Sequence, residues 1–338
     1  MRIGVGFWQN GDGIATEIVA TLAELGHEGV GFDCYGPLPG DVELVLVYGP
    51  FGSVVPVVKQ LLALPVAQRP LFAFWMTEQF PDPSLPEWLW RSVGTTRSAI
   101  ERLVTAETPS RVWSSRPMFG FATRGLSRFR YYGDLHWLKS HGLPDVLAIG
   151  SLWTADLLER RGFRPTVAYM GASNRWSYPL NLDRDIPVLW LGKIATSRRG
   201  TLLKRMRDQL AGRDIEIMVI DGVEHPYVFG EDRNVLFNRT KVTLNLLREQ
   251  WDDNSMRYYL AAPCRSLIVT EPTLPHTPFV PGVHFVEAPI EQLADTICHY
   301  LSHEDERRQI ADNACQLTTT ELTMKNGLLT IVNAARGQ

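Results

Sequence analysis

The chain has 338 residues, 45% of them hydrophobic and 21% charged, with a formal net charge of −3. That length exceeds one ordinary core and predicts two domains, while the charge excludes a globally basic nucleic-acid binder. Four scattered cysteines (Cys34, Cys264, Cys298, Cys315) form no CxxC pair and no zinc-like spacing with histidine. A reduced, cytoplasmic chain is expected, with neither a signal peptide nor the ~20-residue apolar run of a membrane span.

Short apolar, β-rich runs alternate with amphipathic stretches, which predicts an α/β fold on parallel sheets. Strands are expected at 2–7, 29–33, 43–48 and 70–76, and helices at 14–25, stopped by Gly26, and at 54–64. Residues 79–86 read as a proline-rich loop leaving a strand. From 111 to 139 the character changes. Six basic side chains (Arg111, Arg116, Arg124, Arg128, Arg130, Lys139) stand against the single acid Asp134. Trp113, Phe119, Phe121, Phe129, Tyr131, Tyr132 and Trp137 are interleaved with them. The stretch reads as an irregular helical insert with core aromatics, as an acceptor- or membrane-facing patch, or as a stacking surface for single strands. The first reading is preferred, peripheral contact with the inner face of the membrane is the second, and nucleic acid is not an expected partner. A strand at 146–149, a helix at 152–161 and a strand at 166–170 complete the first half.

Residues 172–186 are polar and read as an interdomain linker. A second alternation follows, with strands at 188–191, 216–220, 242–246, 266–270 and 284–287. Helices are expected at 200–210, 255–262, 290–302 and 305–318, with a helical tail at 321–335. The domains are therefore drawn at 1–178 and 186–318, with 319–338 as a terminal helix.

In open parallel sheets, ligands bind beyond the carboxyl ends of the strands, near the switch in strand order. Two loops there suit phosphate. Gly192 and Lys193 precede Ser197, Arg198, Arg199 and Gly200 at a helix start, offering positive charge and open N–H groups. A solvated βα turn is the competing reading. The run Asp252, Asp253, Asn254, Ser255, Met256, Arg257 supplies Asn254 or Ser255 as an N-cap, with capping alone as the competing reading. Gly4 and Gly6 with Asp33 downstream make a weak dinucleotide pattern, since both glycines sit inside the strand run. For proton transfer the candidates are Glu78, after the strand at 70–76, and Asp12, between two glycines. A salt-bridged Glu78 and an Asp12 helix cap compete with that role. His136 is a third option, more easily read as a satisfied core histidine. No histidine cluster points to a metal site.

The second half resembles the donor-binding domain of group 1 glycosyltransferases, and particularly their spore-protein, CgeB-like branch. The stretches that carry the likeness are VLWLGKIATSRRG from Val188, LFNRTKVTLNLL from Leu236, SMRYYLAAPCRSLIVTEP from Ser255 and FVPGVHFVEAPIEQLADTICHYL from Phe279. In the first half, AIGSLWTADLLERRGF with TVAYMG is similar to the family's last βαβ unit. The resemblance implies a GT-B fold: two Rossmann-like domains facing a cleft, with a C-terminal helix crossing back to the first. It implies a nucleoside-diphosphate-sugar donor on the second domain and an unknown acceptor on the first. Gly192, Lys193 and Arg199 would meet the diphosphate, Asn254, Ser255, Met256 and Arg257 would lie beneath it, and Tyr227 and Val228 would cradle the base. No cofactor and no metal is implied, since the nucleotide sugar is a substrate and helix dipoles with basic side chains stabilise the leaving group. One departure stands out: Leu260 occupies the place of a customary glutamate, and Arg265 that of a glycine. A catalytically silent binding partner, or another sugar-nucleotide enzyme such as an epimerase, therefore stays open.

Overall fold

The computed structural model describes residues 1–8, 13–49, 54–104, 117–194, 196–252, 255–275 and 278–337, without the side chains at 104, 117–127 and 255. Contacts divide the chain into two units, Met1–Ala168 with Gly327–Gln338, and Tyr169–Asn326.

The first unit is built on a six-stranded parallel sheet ordered β2-β1-β3-β4-β5-β6. Its strands are β1 (Arg2–Phe7), β2 (Glu28–Asp33), β3 (Leu44–Gly49), β4 (Leu71–Met76), β5 (Val146–Ile149) and β6 (Pro165–Val167). The central strands β3 and β5 are buried at every position, as expected of strands covered by helices on both faces. Helix α1 (Gly13–Glu24) stops at Gly26, which takes φ +76°, while His27 N–H reaches Leu22 O at 2.9 Å. That is the glycine stop read from the sequence. Helix α2 is Val55–Ala63, with Pro56 in its first turn. Gly4 and Gly6 lie within β1, and Asp33 Oδ1 accepts the Tyr35 N–H at 2.9 Å, so this acid closes a local turn. The switch in strand order falls between β1 and β3; residues 9–12 and 50–53, which follow those strands, are outside the described residues.

Between β4 and β5 the structure departs from the irregular insert expected there. Helices α3 (Glu87–Val104) and α4 (Pro117–Ser140) run against each other. They touch backbone to backbone at Gly94 and Gly133, where a Cβ on Gly133 would lie 2.0 Å from Gly94 O. Only glycine permits that approach. The preference for core aromatics holds among the described side chains: Tyr132 is fully buried, and Phe129, Tyr131 and Trp137 pack against the same core. Helix α5 (Leu152–Arg160) is capped by Ser151, whose Oγ accepts the Thr154 N–H at 3.3 Å.

The second unit carries a five-stranded parallel sheet ordered β11-β10-β9-β7-β8. The strands are β7 (Ile186–Leu191), β8 (Ile217–Ile220), β9 (Thr240–Asn245), β10 (Leu267–Thr270) and β11 (Val286–Glu287). The helices are α6 (Ser197–Ala211), α7 (Gly230–Arg239), α8 (Ser255–Ala261), α9 (Leu293–Ser302), α10 (Glu304–Thr320) and α11 (Met324–Arg336). Helix α6 begins three residues before the expected start at 200. Thr196 caps it by accepting the Arg199 N–H at 3.3 Å, so Arg198 and Arg199 sit in the first turn rather than in a loop. Among the described residues, no helix is long and apolar enough to cross a membrane.

Candidate functional site

Strand β8 lies on one side of β7 and strand β9 on the other, so the order switches between β7 and β9, and the site gathers at their carboxyl ends. Gly192 follows β7 with φ +152°, and a Cβ there would lie 2.3 Å from Arg257 Nη2. The glycine leaves the volume that the guanidinium fills. Its N–H is committed to Ile220 O at 3.0 Å, so the open amides expected of this turn do not include that of Gly192.

Arg257, on α8, is held from two strands. Its Nε donates to Leu191 O at 2.8 Å and its Nη1 to Asn245 Oδ1 at 2.7 Å. The guanidinium carbon lies 5.8 Å from the centre of the buried Trp190 ring. Burial, with Arg199 and Arg248 adding repulsion, pushes this guanidinium down to about 9. Arg199 is likewise buried, with 4% of its surface exposed. Its Nη1 donates to Lys193 O at 3.1 Å, but Nε and Nη2 are buried with no acceptor among the described residues. Burial, then repulsion from Arg248, pushes Arg199 down to about 10. Among the described residues, neither arginine makes an ion pair, and Asp252 offsets their charge only from a distance.

The neighbouring charges are already matched. Arg198 grips the buried Glu271 with both Nη atoms, and its Nη1 also donates to Leu247 O at 3.0 Å. Donating these hydrogen bonds to Glu271 raises the Arg198 pKa. Glu271 Oε1 accepts the Leu247 N–H at 2.8 Å as well. Arg248 Nε pairs with Asp252 at 3.1 Å. The expected basic turn therefore splits in two: Arg198 is consumed by a protein carboxylate, and Arg199 is left for something else.

Farther out, the exposed Lys193 reaches within 5.9 Å of the Tyr227 ring centre. That ring lies over Gly222, where a Cβ would meet it at 2.4 Å, and Val228 follows half-buried. Burial raises the Tyr227 phenol. Met256 is half-buried beside Arg257. Asn254 and Asp12 lie outside the described residues, and of Ser255 only the backbone at the head of α8 is described. Leu260 is buried.

Glu78 stands half-buried just past β4, and its charge is the second cause, after burial, that raises the Tyr131 phenol to about 12. His136 packs edge-on to Tyr132 and Phe163, with ring centres 4.7 and 5.1 Å away, and burial lowers its pKa. Its Nε2 is buried with no hydrogen-bond partner among the described residues, so it is not the satisfied core histidine expected from the sequence. Asn245, Arg248 and Glu271 were not singled out as individual site residues from the sequence. The signal for Asn245 and Glu271 was a polar residue closing a buried strand, in TLN and IVTE, which positions it at the ligand edge.

Residues 198–333 match the family described as glycosyl transferase-like. The structure is similar to sucrose-phosphate synthase from Thermosynechococcus elongatus (12% identity, TM-score 0.62, covering 100% of this chain and 98% of that one). It is also similar to HepE from Anabaena in complex with UDP and glucose (11%, TM-score 0.59, 100% of both chains). TarM matches at 6% identity and TM-score 0.59, covering 95% of this chain, which spans 58% of the length of TarM. A search of curated proteins finds no match. The α/β architecture with two Rossmann-like units is that of GT-B glycosyltransferases, and the domain match bears out the expected enzyme class.

Proposed function

We propose that this chain holds the diphosphate of a nucleotide-sugar donor on Arg199 and Arg257 and transfers the sugar to an acceptor hydroxyl. The observation that carries the reading is the pair of buried guanidiniums with depressed pKa values and no carboxylate partner among the described residues. Bringing a guanidinium down from its ordinary value to about 9 is a penalty on the order of 5 kcal/mol for the charged form. A diphosphate repays such a penalty by taking charge-assisted hydrogen bonds where no water competes. As the bond from the sugar carbon to the diphosphate oxygen breaks, negative charge grows on the group these arginines face. They then supply positive charge of the kind a divalent ion brings in other transferases. Lys193 and Tyr227 flank the outer end of the donor, with Tyr227 and Val228 against the base. Glu78 is the residue we assign to take the acceptor proton.

The structures of HepE and TarM with UDP make UDP the first nucleotide to test. Membership of the CgeB-like branch is part of the same reading. Isothermal titration should show UDP, or another nucleoside diphosphate, binding the wild type and failing to bind Arg257→Ala at comparable concentration. No binding of any common nucleoside diphosphate would remove the reading. The buried Leu260, in place of the usual acid, favours a second one, in which the donor is bound but turned over slowly or not at all. Binding without consumption of UDP-sugars would select it.

A further inference from the structure

At the corner between α9 and α10, three exposed side chains converge: His299, His303 and Glu306, each offering a ligand atom within 4.8 Å of the others. His299 and His303 are one helical turn apart, and their rings lie side by side with centres at 4.0 Å and planes at 17°. His303 joins the two helices, ending α9 and preceding α10. Its Nδ1 lies 2.8 Å from His299 O and 3.1 Å from Ser302 Oγ. A carbonyl only accepts, so Nδ1 carries the proton, and the Nε2 lone pair of the neutral ring faces outward. That second-sphere bond is the kind that orients a histidine toward a metal. His299 Nε2 lies 2.9 Å from Glu306 Oε2, so a carboxylate stands at the same point.

We propose that His299, His303 and Glu306 bind a divalent transition-metal ion of the zinc class. Two imidazoles and a carboxylate suit zinc, copper or nickel, and are poor ligands for magnesium or calcium, which favour all-oxygen shells. With three protein ligands, a fourth position remains for water. Ligand atoms on tetrahedral zinc lie about 3.3 Å apart at bond lengths of about 2.0–2.1 Å. The exposed side chains close that gap by rotation, without movement of the helices. Cys298, the preceding residue, turns away, with its Sγ 3.2 Å from Arg213 Nη1, and stays out of the set. The ion would fasten the end of α9, anchored in the core through Leu293, Ala294 and Ile297, to the start of α10, anchored through Ile310 and Ala311. None of these residues belongs to the proposed donor site.

Titration of the chelator-treated full chain with zinc chloride tests this. The wild type should take up one zinc ion with micromolar affinity and unfold a few degrees higher, by about the amount ligand linkage predicts. His303→Ala and Glu306→Gln should each weaken uptake about tenfold or more, and Cys298→Ser should leave it unchanged. All are exposed or half-exposed positions, and circular dichroism of each variant confirms that it is folded. Wild-type uptake by the folded double variant His299→Ala/His303→Ala, or no heat with the wild type at about 100 times the micromolar range, would overturn the proposal.

Discussion

Each unit buries arginine, and the two units treat it in opposite ways. In the first, Arg130 lies between Glu101 and Asp134, at 3.4 and 3.5 Å, and Asp134 accepts from Ser98 at 2.6 Å. The acids raise the Arg130 pKa although it is buried. In the second, burial pushes Arg199 and Arg257 down, and repulsion from Arg248 adds to it at both. In the first network the arginine has a carboxylate from each helix against it, Glu101 on α3 and Asp134 on α4, and so fastens the two helices together. The second is short of negative charge, which is the condition of a binding site before its anion arrives. Burial alone does not distinguish a structural arginine from a functional one; the count of opposite charges around it does.

Breaking the carboxylate-matched network should have the largest effect. Arg130→Met leaves buried carboxylates unmatched and should cost about 3–5 kcal/mol of stability in urea denaturation, with UDP affinity unchanged in the folded fraction. Arg257→Met should do the reverse: a loss of UDP affinity of about 100-fold by titration calorimetry, with a smaller change in stability. An equal loss of stability from both substitutions would erase the contrast.

The pH dependence sharpens it. With Arg257 at about 9 in the folded chain and at its higher ordinary value when unfolded, the unfolded state holds more protons between those values, so this group adds stability as pH rises from 9. Diphosphate affinity runs the other way. Bound phosphate favours the charged arginine, so affinity should be full below pH 9 and fall by up to about tenfold per pH unit above it. Titrations at pH 8 and 10 read this directly. The smallest effect belongs to the exposed Lys193. Lys193→Ala should weaken UDP about two- to fivefold, the scale of a solvated charge beside an aromatic ring.

The strands were legible in the sequence because each is a short apolar run closed by a turn, and the glycine stop at Gly26 was legible for the same reason. Helices α3 and α7 were not. EWLWRSVGTTRSAIERLV carries a glycine and threonines that weaken a helical reading, and its helix packs closely on α4 through Gly94 and Gly133. GEDRNVLFNR hides its inward face because that face includes Asn234 and Asn238, both buried. At the candidate site, Gly192 and Arg199 were named from the basic turn and Arg257 from the run that begins at Asp252, before the family resemblance was added, and the structure brings the three together. The capture of Arg198 by Glu271 was not legible, since those residues are 73 positions apart and only the sheet brings them together. His299 and His303 were not singled out in the sequence, and Glu306 joins them only because the chain turns at His303.

A crystal structure with UDP tests the central claim most directly. Phosphate oxygens of the diphosphate within hydrogen-bond distance of the Arg199 and Arg257 guanidiniums, with Arg198 still held by Glu271, is the predicted result. A diphosphate seated elsewhere, or a protein carboxylate found against those two arginines, would contradict it.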